Sequence, residues 1–424
     1  MKESMLHYIW QQKLFAQSEL FTTDGQLVEV IDVGKYNTDG GPDFFNAKIK
    51  MGQTLWAGNI EIHCASTDWA KHGHCTDKAY DTVILHVVTQ CDCKVQRTDG
   101  SEIPQMILRY NAAIEEQYEQ LLAARKWVAC ADKICDVHPL FISAWKNALL
   151  TERLLSKSAA INQLLTANNQ HWEEAFYVSL ARSFGFSTNS QAFEQLALSL
   201  PLVALGKHKN NILQIEAMLY GQSGLLPANS QDAYIVALQQ EYKVLKAKFG
   251  LQTMDGAQWK LLRLRPENFP HIRIAQFAAL VQRSSKLFSK VIEQPDHEQL
   301  IKLFEVEASD YWLTHYIFEK ECKKRKKHLG QKSIESLLIN TVVPFLFCYA
   351  HSKDNQLLKD RAIALLEKLP AENNAIVNGW EKLGQKIDTA YDSQAFIHLK
   401  KNYCDDKKCL RCRIGHKVLS AKIK

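Results

Sequence analysis

The spacing of apolar residues changes character near Ala112. Before that point, apolar and β-branched residues alternate with polar ones over short segments, which predicts strands at residues 27–33, 44–51, 55–64 and 82–88. An amphipathic helix is predicted over residues 3–15 and a short helix over residues 66–71, with Ser66 as its N-cap. After Ala112, leucine, alanine, glutamate and lysine recur at helical spacing between glycine and proline breaks, and no clear strand is predicted.

These patterns predict an α+β protein with a β-rich domain at residues 1–111, a mostly α-helical domain at 112–400 and a cysteine-rich basic tail at 401–424. The N-terminal segment is too polar for a secretory signal. The longest apolar run, residues 337–350, is interrupted by Asn340 and Pro344 and is therefore predicted to be a buried helix. We expect a cytoplasmic protein with no membrane partner, and the sequence does not indicate an oligomeric state.

Acidic and imidazole side chains are concentrated between Gly40 and His74. Asp43 follows a Gly-Gly-Pro break and opens the first strand of a predicted hairpin, while Glu61 and His63 are two residues apart on the second strand and share one face. Two neighbouring carboxylates repel each other unless a cation joins them, and carboxylate oxygens suit hard divalent ions. The sequence therefore predicts Mg²⁺ or Mn²⁺ held by Asp43 and Glu61.

The pairs Pro42-Asp43 and Glu61-Ile62-His63 resemble the core of the PD-(D/E)XK nuclease superfamily, in which Pro-Asp opens one strand and Glu-x-Lys lies on the next. The resemblance implies metal-dependent cleavage of nucleic acid, with Asp43 and Glu61 on the metal and His63 positioning or deprotonating water in place of the lysine. A histidine differs from lysine in being charged only near or below a pKa of about 6.5. The order helix, strands, helix, strand fits such a nuclease-like α/β domain, and it also fits a plain antiparallel module.

The same window supports two further functional hypotheses. In the first, a small-molecule metalloenzyme, His72 and His74 bind zinc or iron together with His63 or His86. Asp68 or Asp77 would serve as an oxygen ligand or support a ligand from outside. Alternatively, the histidines are packed and hydrogen-bonded without a metal. A further hypothesis is a non-enzymatic nucleic-acid-binding or assembly protein, in which the acids are relics or structural groups.

Two basic segments are candidates for contact with DNA or RNA. The net charge of +6 permits such contact without requiring it. The first segment is a loop stiffened by Pro266 and Pro270, and the second is a run of basic residues; the predicted contacts are Arg263, Arg265, Arg273, Lys323, Lys324 and Arg325. The alternatives are that Glu267 and other acids pair with the arginines, and that the basic run is a solvated helix face.

The chain has eleven cysteines, which a reducing cytosol would keep as thiols or metal ligands. Cys404, Cys409 and Cys412 form a C-x4-C-x2-C pattern near the C-terminus. That spacing predicts a zinc or iron–sulfur site, which needs a fourth ligand. The candidates for that ligand are His416, which is nearby in sequence, and Cys130 or Cys135 from the domain junction.

Several longer phrases, among them GPDFFNAKI, LRLRPENFPHIRIAQ and KCLRCRIG, resemble an uncharacterised bacterial family known as domain of unknown function 2851. The resemblance runs nearly end to end and implies a cytoplasmic bacterial protein of this length. It implies no reaction, so the functional residues rest on the chemistry described above.

Overall fold

The computed structural model describes residues 3–17, 19–284 and 286–420, and the chain divides into two compact units. The first unit combines Met1–Trp145 with Lys400–Lys424, and the second is Lys146–Leu399. The division therefore lies elsewhere than the predicted boundary after residue 111. The C-terminal tail belongs to the unit that carries the large sheet.

The first unit is built on a mixed sheet. Its elements before the second unit are α1 (Glu3–Gln11), β1 (Val28–Asp32), β2 (Lys35–Tyr36), β3 (Phe44–Met51), β4 (Thr54–Ala65), α2 (Asp68–Lys71), β5 (Val83–Gln90), β6 (Gln105–Ile107) and α3 (Ala113–Ala123). The strand order is β1-β3-β4-β5-β6, with β2 paired to β3. Strands β1, β3 and β4 pair antiparallel, whereas β4–β5 and β5–β6 pair parallel, so a plain antiparallel module is excluded.

The predicted hairpin is confirmed, and its register fixes which side chains share a face. Strands β3 and β4 meet at the Gly52 turn, where a φ of 57° favours glycine. On β4, Ile60 and Ile62 are fully buried in the core, and Glu61 and His63 point to the other face. The parallel pairing then sets His86 of β5 directly opposite Glu61. Three potential functional groups therefore lie on one face of adjacent strands.

The segment after β4 differs from its prediction in one respect. Helix α2 begins at Asp68, and Thr67 rather than Ser66 occupies the N-cap position. Ser66 is fully buried, and its hydroxyl donates instead to Oε1 of Gln105 at 2.6 Å, because a buried hydroxyl needs a partner. Two short 3₁₀ turns follow, His74–Thr76 and Lys78–Tyr80, and they return the chain over the same face of the sheet.

The second unit is mostly helical, as predicted. Its elements are α4 (Pro139–Ala167, which begins in the first unit), α5 (Trp172–Phe184), α6 (Ser190–Ser199), α7 (Leu202–Gly206), α8 (Ile212–Ser223), α9 (Ala233–Phe249), α10 (Pro270–Arg283), α11 (Leu287–Glu293), α12 (His297–Phe304), β7 (His315–Ile317), β8 (Lys320–Glu321), α13 (Gln331–Leu337), α14 (Val343–Ser352), α15 (Gln356–Lys368), α16 (Ala375–Lys382) and α17 (Ala390–Leu399). The β7–β8 hairpin was not predicted. The basic run that follows it is irregular rather than a helix face.

The apolar stretch around Pro344 is a core helix. A π-helical segment, Leu338–Val342, joins α13 to α14, so that Gln331–Ser352 is continuous, and it is long and apolar enough to cross a membrane. However, 72% of its most apolar window is buried inside the protein. Phe345 packs there against the rings of Phe176 and Phe288, which confirms the predicted buried helix.

The tail of the first unit consists of a π-helical turn, Lys400–Cys404, a 3₁₀ turn, Cys409–Arg411, and α18 (Arg413–Ser420). Lys407 Nζ donates to the carbonyl oxygens of Leu122 and Ala124 at the end of α3. The Lys400 ammonium group lies 5.2 Å from the centre of the Trp127 ring. These contacts hold the tail against the segment that carries Cys130.

Candidate metal centre

A cluster of imidazole rings covers the exposed end of the β4–β5 face. The ligand nitrogens of His63, His72 and His74 all lie within 4.8 Å of one another. His63 and His74 are buried, and His72 is exposed. The cluster is therefore closed by protein on most sides and open to solvent at His72.

Glu61 supplies an oxygen to the cluster. Its Oε1 lies 3.2 Å from Nε2 of His74 and 3.5 Å from Nε2 of His63. Its other oxygen accepts the backbone N–H of Asp43 at 3.0 Å. Burial raises the pKa of Glu61, and the nearby Asp43 carboxylate adds to that effect. The side chain thus presents one free oxygen to the histidines.

The tautomer of His86 follows from the partners of Gln105. The Gln105 amide donates to the carbonyl oxygen of Cys93 at 2.8 Å, which fixes its nitrogen on that side. Its Oε1 lies 3.3 Å from Nδ1 of His86, and because this oxygen can only accept, Nδ1 of His86 carries a proton. Burial lowers the pKa of His86 to about 4, so the ring is neutral and its Nε2 is an acceptor.

This orientation passes to His63 through one more hydrogen bond. Nε2 of His86 lies 2.9 Å from Nδ1 of His63, which must therefore carry the proton. Burial, reinforced by the neighbouring histidines, lowers the pKa of His63 to about 3, so its ring is also neutral. The Nε2 lone pair of His63 consequently points into the cluster, 3.1 Å from Nδ1 of His72. Gln105 and His86 together form a relay that orients this lone pair.

The lone pair of His63 and the oxygen of Glu61 are two acceptors that face each other. Their separation of 3.5 Å is too long for a shared proton to form a good hydrogen bond. The buried Nε2 of His74 lies 3.2 Å from the same Glu61 oxygen but is poorly aligned for a hydrogen bond. Ligands bound to one ion at about 2.0–2.2 Å lie about 3.0–3.5 Å from each other, and the 3.1–3.5 Å separations found here match that spacing. The arrangement therefore fits a divalent cation.

Aromatic side chains form the walls of the cluster. The Tyr80 ring stacks on His74 with their centres 3.7 Å apart, and Trp69 meets the edges of His74 and His86. Burial raises the pKa of Tyr80 to about 12, helped by the charges of Glu61 and Asp43, so the phenol stays protonated. These rings lower the local polarity and strengthen electrostatic interactions inside the site.

Asp43 lies next to Glu61 but pairs with a histidine outside the cluster, His7. Its Oδ2 accepts the backbone N–H of Ile62 at 2.9 Å and lies 3.1 Å from Nε2 of His7 in α1. Although burial opposes the charged form of His7, the Asp43 carboxylate raises the pKa of that histidine overall. The structure thus brings Asp43 next to Glu61, as predicted, and adds an acid–base pair that the sequence did not reveal.

The other predicted site residues are distributed over both units. Asp68 binds the Ala65 N–H and pairs with Lys71 at 2.8 Å, so Glu61 rather than Asp68 faces the histidines. Arg325 pairs with Glu267 at 3.3 Å. The remaining basic candidates are exposed, with the exception of the buried Arg273; the exposed ones are Arg263, Arg265, Lys323 and Lys324.

The tail cysteines gather near Cys130. Burial raises the pKa of Cys404 well above its usual range, and the sulfurs of the other three cysteines of the group raise it further; these are Cys130, Cys409 and Cys412. Burial raises the pKa of Cys412, which directly precedes α18, although backbone N–H groups at the start of that helix partly oppose this effect. His416 instead has its Nδ1 2.8 Å from the Tyr8 hydroxyl. Among the described residues, only the histidine triplet has all its ligand atoms within 4.8 Å, so the sulfurs are spaced more widely.

The protein thus combines two units: a mixed sheet that carries a histidine–carboxylate cluster, and a mostly helical unit. The family model described as "Protein of unknown function (DUF2851)" matches residues 3–375, and the chain belongs to that family. The matched range includes the histidine cluster and Cys130 and ends before the tail cysteines. Searches of curated proteins and of solved structures find no match.

The relay from Gln105 to His63 makes a testable prediction. Replacing Gln105→Leu removes the acceptor for His86, so both rings lose their fixed tautomers and the affinity for a divalent ion should fall about 10–100-fold. ¹⁵N NMR of the imidazole nitrogens should show His63 protonated at Nδ1 in the wild type and a tautomer mixture in the variant. Gln105→Glu keeps an acceptor oxygen and serves as the control. An unchanged His63 tautomer in Gln105→Leu would refute the relay.

Proposed function

We propose that this protein is a metal-dependent hydrolase of phosphodiesters, with DNA or RNA as the substrate class. The observation that carries the proposal is the lone pair of His63, which lies opposite Glu61 Oε1 at a spacing suited to a shared cation. The ligands are His63, His72, His74 and Glu61. The proposal thus keeps Glu61 of the predicted acid pair as a ligand and joins it to the histidine cluster, while Asp43 pairs with His7.

The ligand set favours Zn²⁺, Mn²⁺ or Fe²⁺ over Mg²⁺. Imidazole nitrogen suits these transition metals, whereas Mg²⁺ prefers an all-oxygen environment and retains its water. A bound ion of this kind lowers the pKa of a coordinated water, to about 7 for zinc, and stabilises negative charge on a phosphate. His72 stands on the solvent side of the cluster, where a substrate phosphate can enter.

Asp43 and His7 complete the site from the helix side. Because the Asp43 carboxylate raises the pKa of His7, this histidine can hold a proton near neutral pH. It is therefore suited to protonate the departing alcohol oxygen when the phosphorus–oxygen bond breaks. Asp43 keeps the ring oriented and, through its own backbone N–H, also fixes Glu61.

The choice of phosphodiesters is supported by the arrangement of elements. A helix, four antiparallel strands, a short helix and two parallel strands follow one another, with Pro42-Asp43 opening β3 and Glu61 on β4. This is the order expected for the PD-(D/E)XK superfamily, in which His63 replaces the lysine. Action on nucleic acid would also be consistent with the proposed cytoplasmic location. The non-enzymatic hypothesis stays a prediction without a supporting contact.

Metal removal and restoration test the hydrolase directly. The metal-stripped protein should be inactive on a phosphodiester such as bis(p-nitrophenyl) phosphate and on single- and double-stranded DNA and RNA, and Mn²⁺ or Zn²⁺ should restore activity. Glu61→Gln should lower the rate at least about 10²-fold, since it removes a charged ligand. His72→Ala, at an exposed position, should weaken metal binding without unfolding the protein.

His138→Ala is the matched control, because His138 is exposed and outside the cluster. It should leave metal affinity and rate unchanged. Full activity in the stripped protein, or wild-type metal binding by His72→Ala, would contradict the proposal.

We also propose a structural metal site formed by Cys130, Cys404, Cys409 and Cys412. The proximity of Cys130 to the tail sulfurs supports a fully cysteine-ligated zinc or iron–sulfur centre, which His416 would not join. The metal would release the protons of these buried thiols and fasten the tail to the segment that carries Cys130.

Metal analysis tests this second site independently of the first. Cys412→Ser should lose the tail metal and lower the midpoint of thermal unfolding, while visible absorbance distinguishes an iron–sulfur cluster from colourless zinc. Cys135→Ser is the control, because it removes the exposed cysteine nearest to Cys130 in the loop. Equal metal loss in both variants, or none in Cys412→Ser, would count against this site.

A further inference from the structure

A cavity of about 330 Å³, lined by both polar and aromatic side chains, lies within the second unit. It is bordered by the turn between α5 and α6, by the segment leading into α10 and by α13. Its polar lining consists of Ser187, Thr188, Asn189, Asn268, Arg273, Lys332, Ser333 and Ser336. No acidic side chain is among the residues that line it.

Arg273 is the unusual member of this lining. It is only 6% exposed, yet its guanidinium group donates only to neutral acceptors, namely Gln276 at 3.0 Å, Asn268 at 2.6 Å and Ser333 at 3.1 Å. The face of the Phe186 ring lies 4.5 Å away. Its Nε has no hydrogen-bond partner among the described residues.

A buried cation without an anion is costly, because desolvation of the charge is not repaid. Within the described part of the chain, no carboxylate oxygen lies within 4.0 Å of Arg273. Glu267, the partner expected from sequence, is exposed and pairs with Arg325. The described residues therefore provide no negative partner for the guanidinium group of Arg273.

The rest of the lining is suited to an anion with several oxygens. Lys332 is exposed at the cavity and supplies a second positive charge. Ser333 accepts from Arg273, which leaves its own hydroxyl proton free to donate, and other hydroxyls line the cavity beside it. The turn that lines the cavity leads directly into the amino end of α6, a helix of ten residues. The Asn189 side chain does not cap this helix, because it binds the Lys260 backbone instead.

We infer that this cavity binds the phosphate group of a ligand. Two positive charges match a phosphate monoester, and the donors exceed what the two oxygens of a carboxylate could accept. The helix end provides further N–H groups of the kind that bind phosphate. The phosphate belongs either to a small phosphorylated molecule or to the terminal phosphate of a nucleic-acid strand, and both are the monoesters that the cavity would recognise.

Binding of inorganic phosphate to the full-length protein tests the inference. Isothermal titration and the thermal unfolding midpoint should both show saturable binding in wild-type protein, at an ionic strength held constant with chloride. Arg273→Met should weaken phosphate binding by at least about tenfold, because it removes the buried positive charge. Without phosphate, its unfolding midpoint should not fall below that of the wild type, because the unpaired charge is gone.

Lys332→Ala provides a second variant at an exposed position and should also weaken binding. Lys243→Ala, which removes an exposed helix lysine elsewhere in the unit, is the matched control and should bind like the wild type. Competition with phosphate by a single-stranded oligonucleotide that carries a 5′-phosphate, and not by the same strand without it, would identify the strand terminus as the source. Failure of both strands to compete would favour a small phosphorylated molecule. Unaltered phosphate binding by Arg273→Met, or reproduction of the wild-type signal by chloride, would overturn the inference.

Discussion

The first unit depends on one fixed orientation, that of the His63 ring. Gln105 can only accept at Oε1, so the proton positions on His86 and then on His63 follow in sequence. As a result, the Nε2 lone pair of His63 is buried opposite the Oε1 atom of Glu61. Burying two acceptors side by side costs free energy unless a cation lies between them. The site is thus electrostatically complementary to a cation through groups that the sheet itself holds in place.

The sheet topology makes this orientation possible. The antiparallel hairpin places Asp43 near Glu61, and the parallel pairing of β4 with β5 brings His86 beside them. The parallel pairing of β5 with β6 then places Gln105 opposite His86. The ligands and supporting groups come from several elements, so a rigid sheet is needed to keep the donor atoms within hydrogen-bonding distance.

The sequence predicted the structure correctly where the alternation of apolar and polar residues along a single strand is enough to determine it. Alternation along β4 correctly placed Glu61 and His63 on one face, and the predicted hairpin of β3 and β4 is present. The contribution of Gln105 could not be predicted, because no local pattern shows that β6 pairs parallel to β5. His7 and Tyr80 were missed for the same reason, since each reaches the site through tertiary packing from a distant or irregular segment.

The burial of the arginines in the loop before and within the start of α10 could not be predicted from the sequence either. Its three arginines look alike in sequence, yet Arg263 and Arg265 are exposed while Arg273 is buried in the first turn of α10. Pro270 at the start of that helix fixes where the turn begins, but burial depends on how α10 packs among the other helices. The partner of Glu267 likewise proved to be Arg325, from a segment far away in the chain.

The most direct test of the metal centre is the anomalous scattering of Mn²⁺ in crystals of the protein. We expect a peak bounded by Nε2 of His63 and His74, Nδ1 of His72 and Oε1 of Glu61. A peak held by Asp43 and Glu61 without any histidine, or no peak in this part of the first unit, would contradict it.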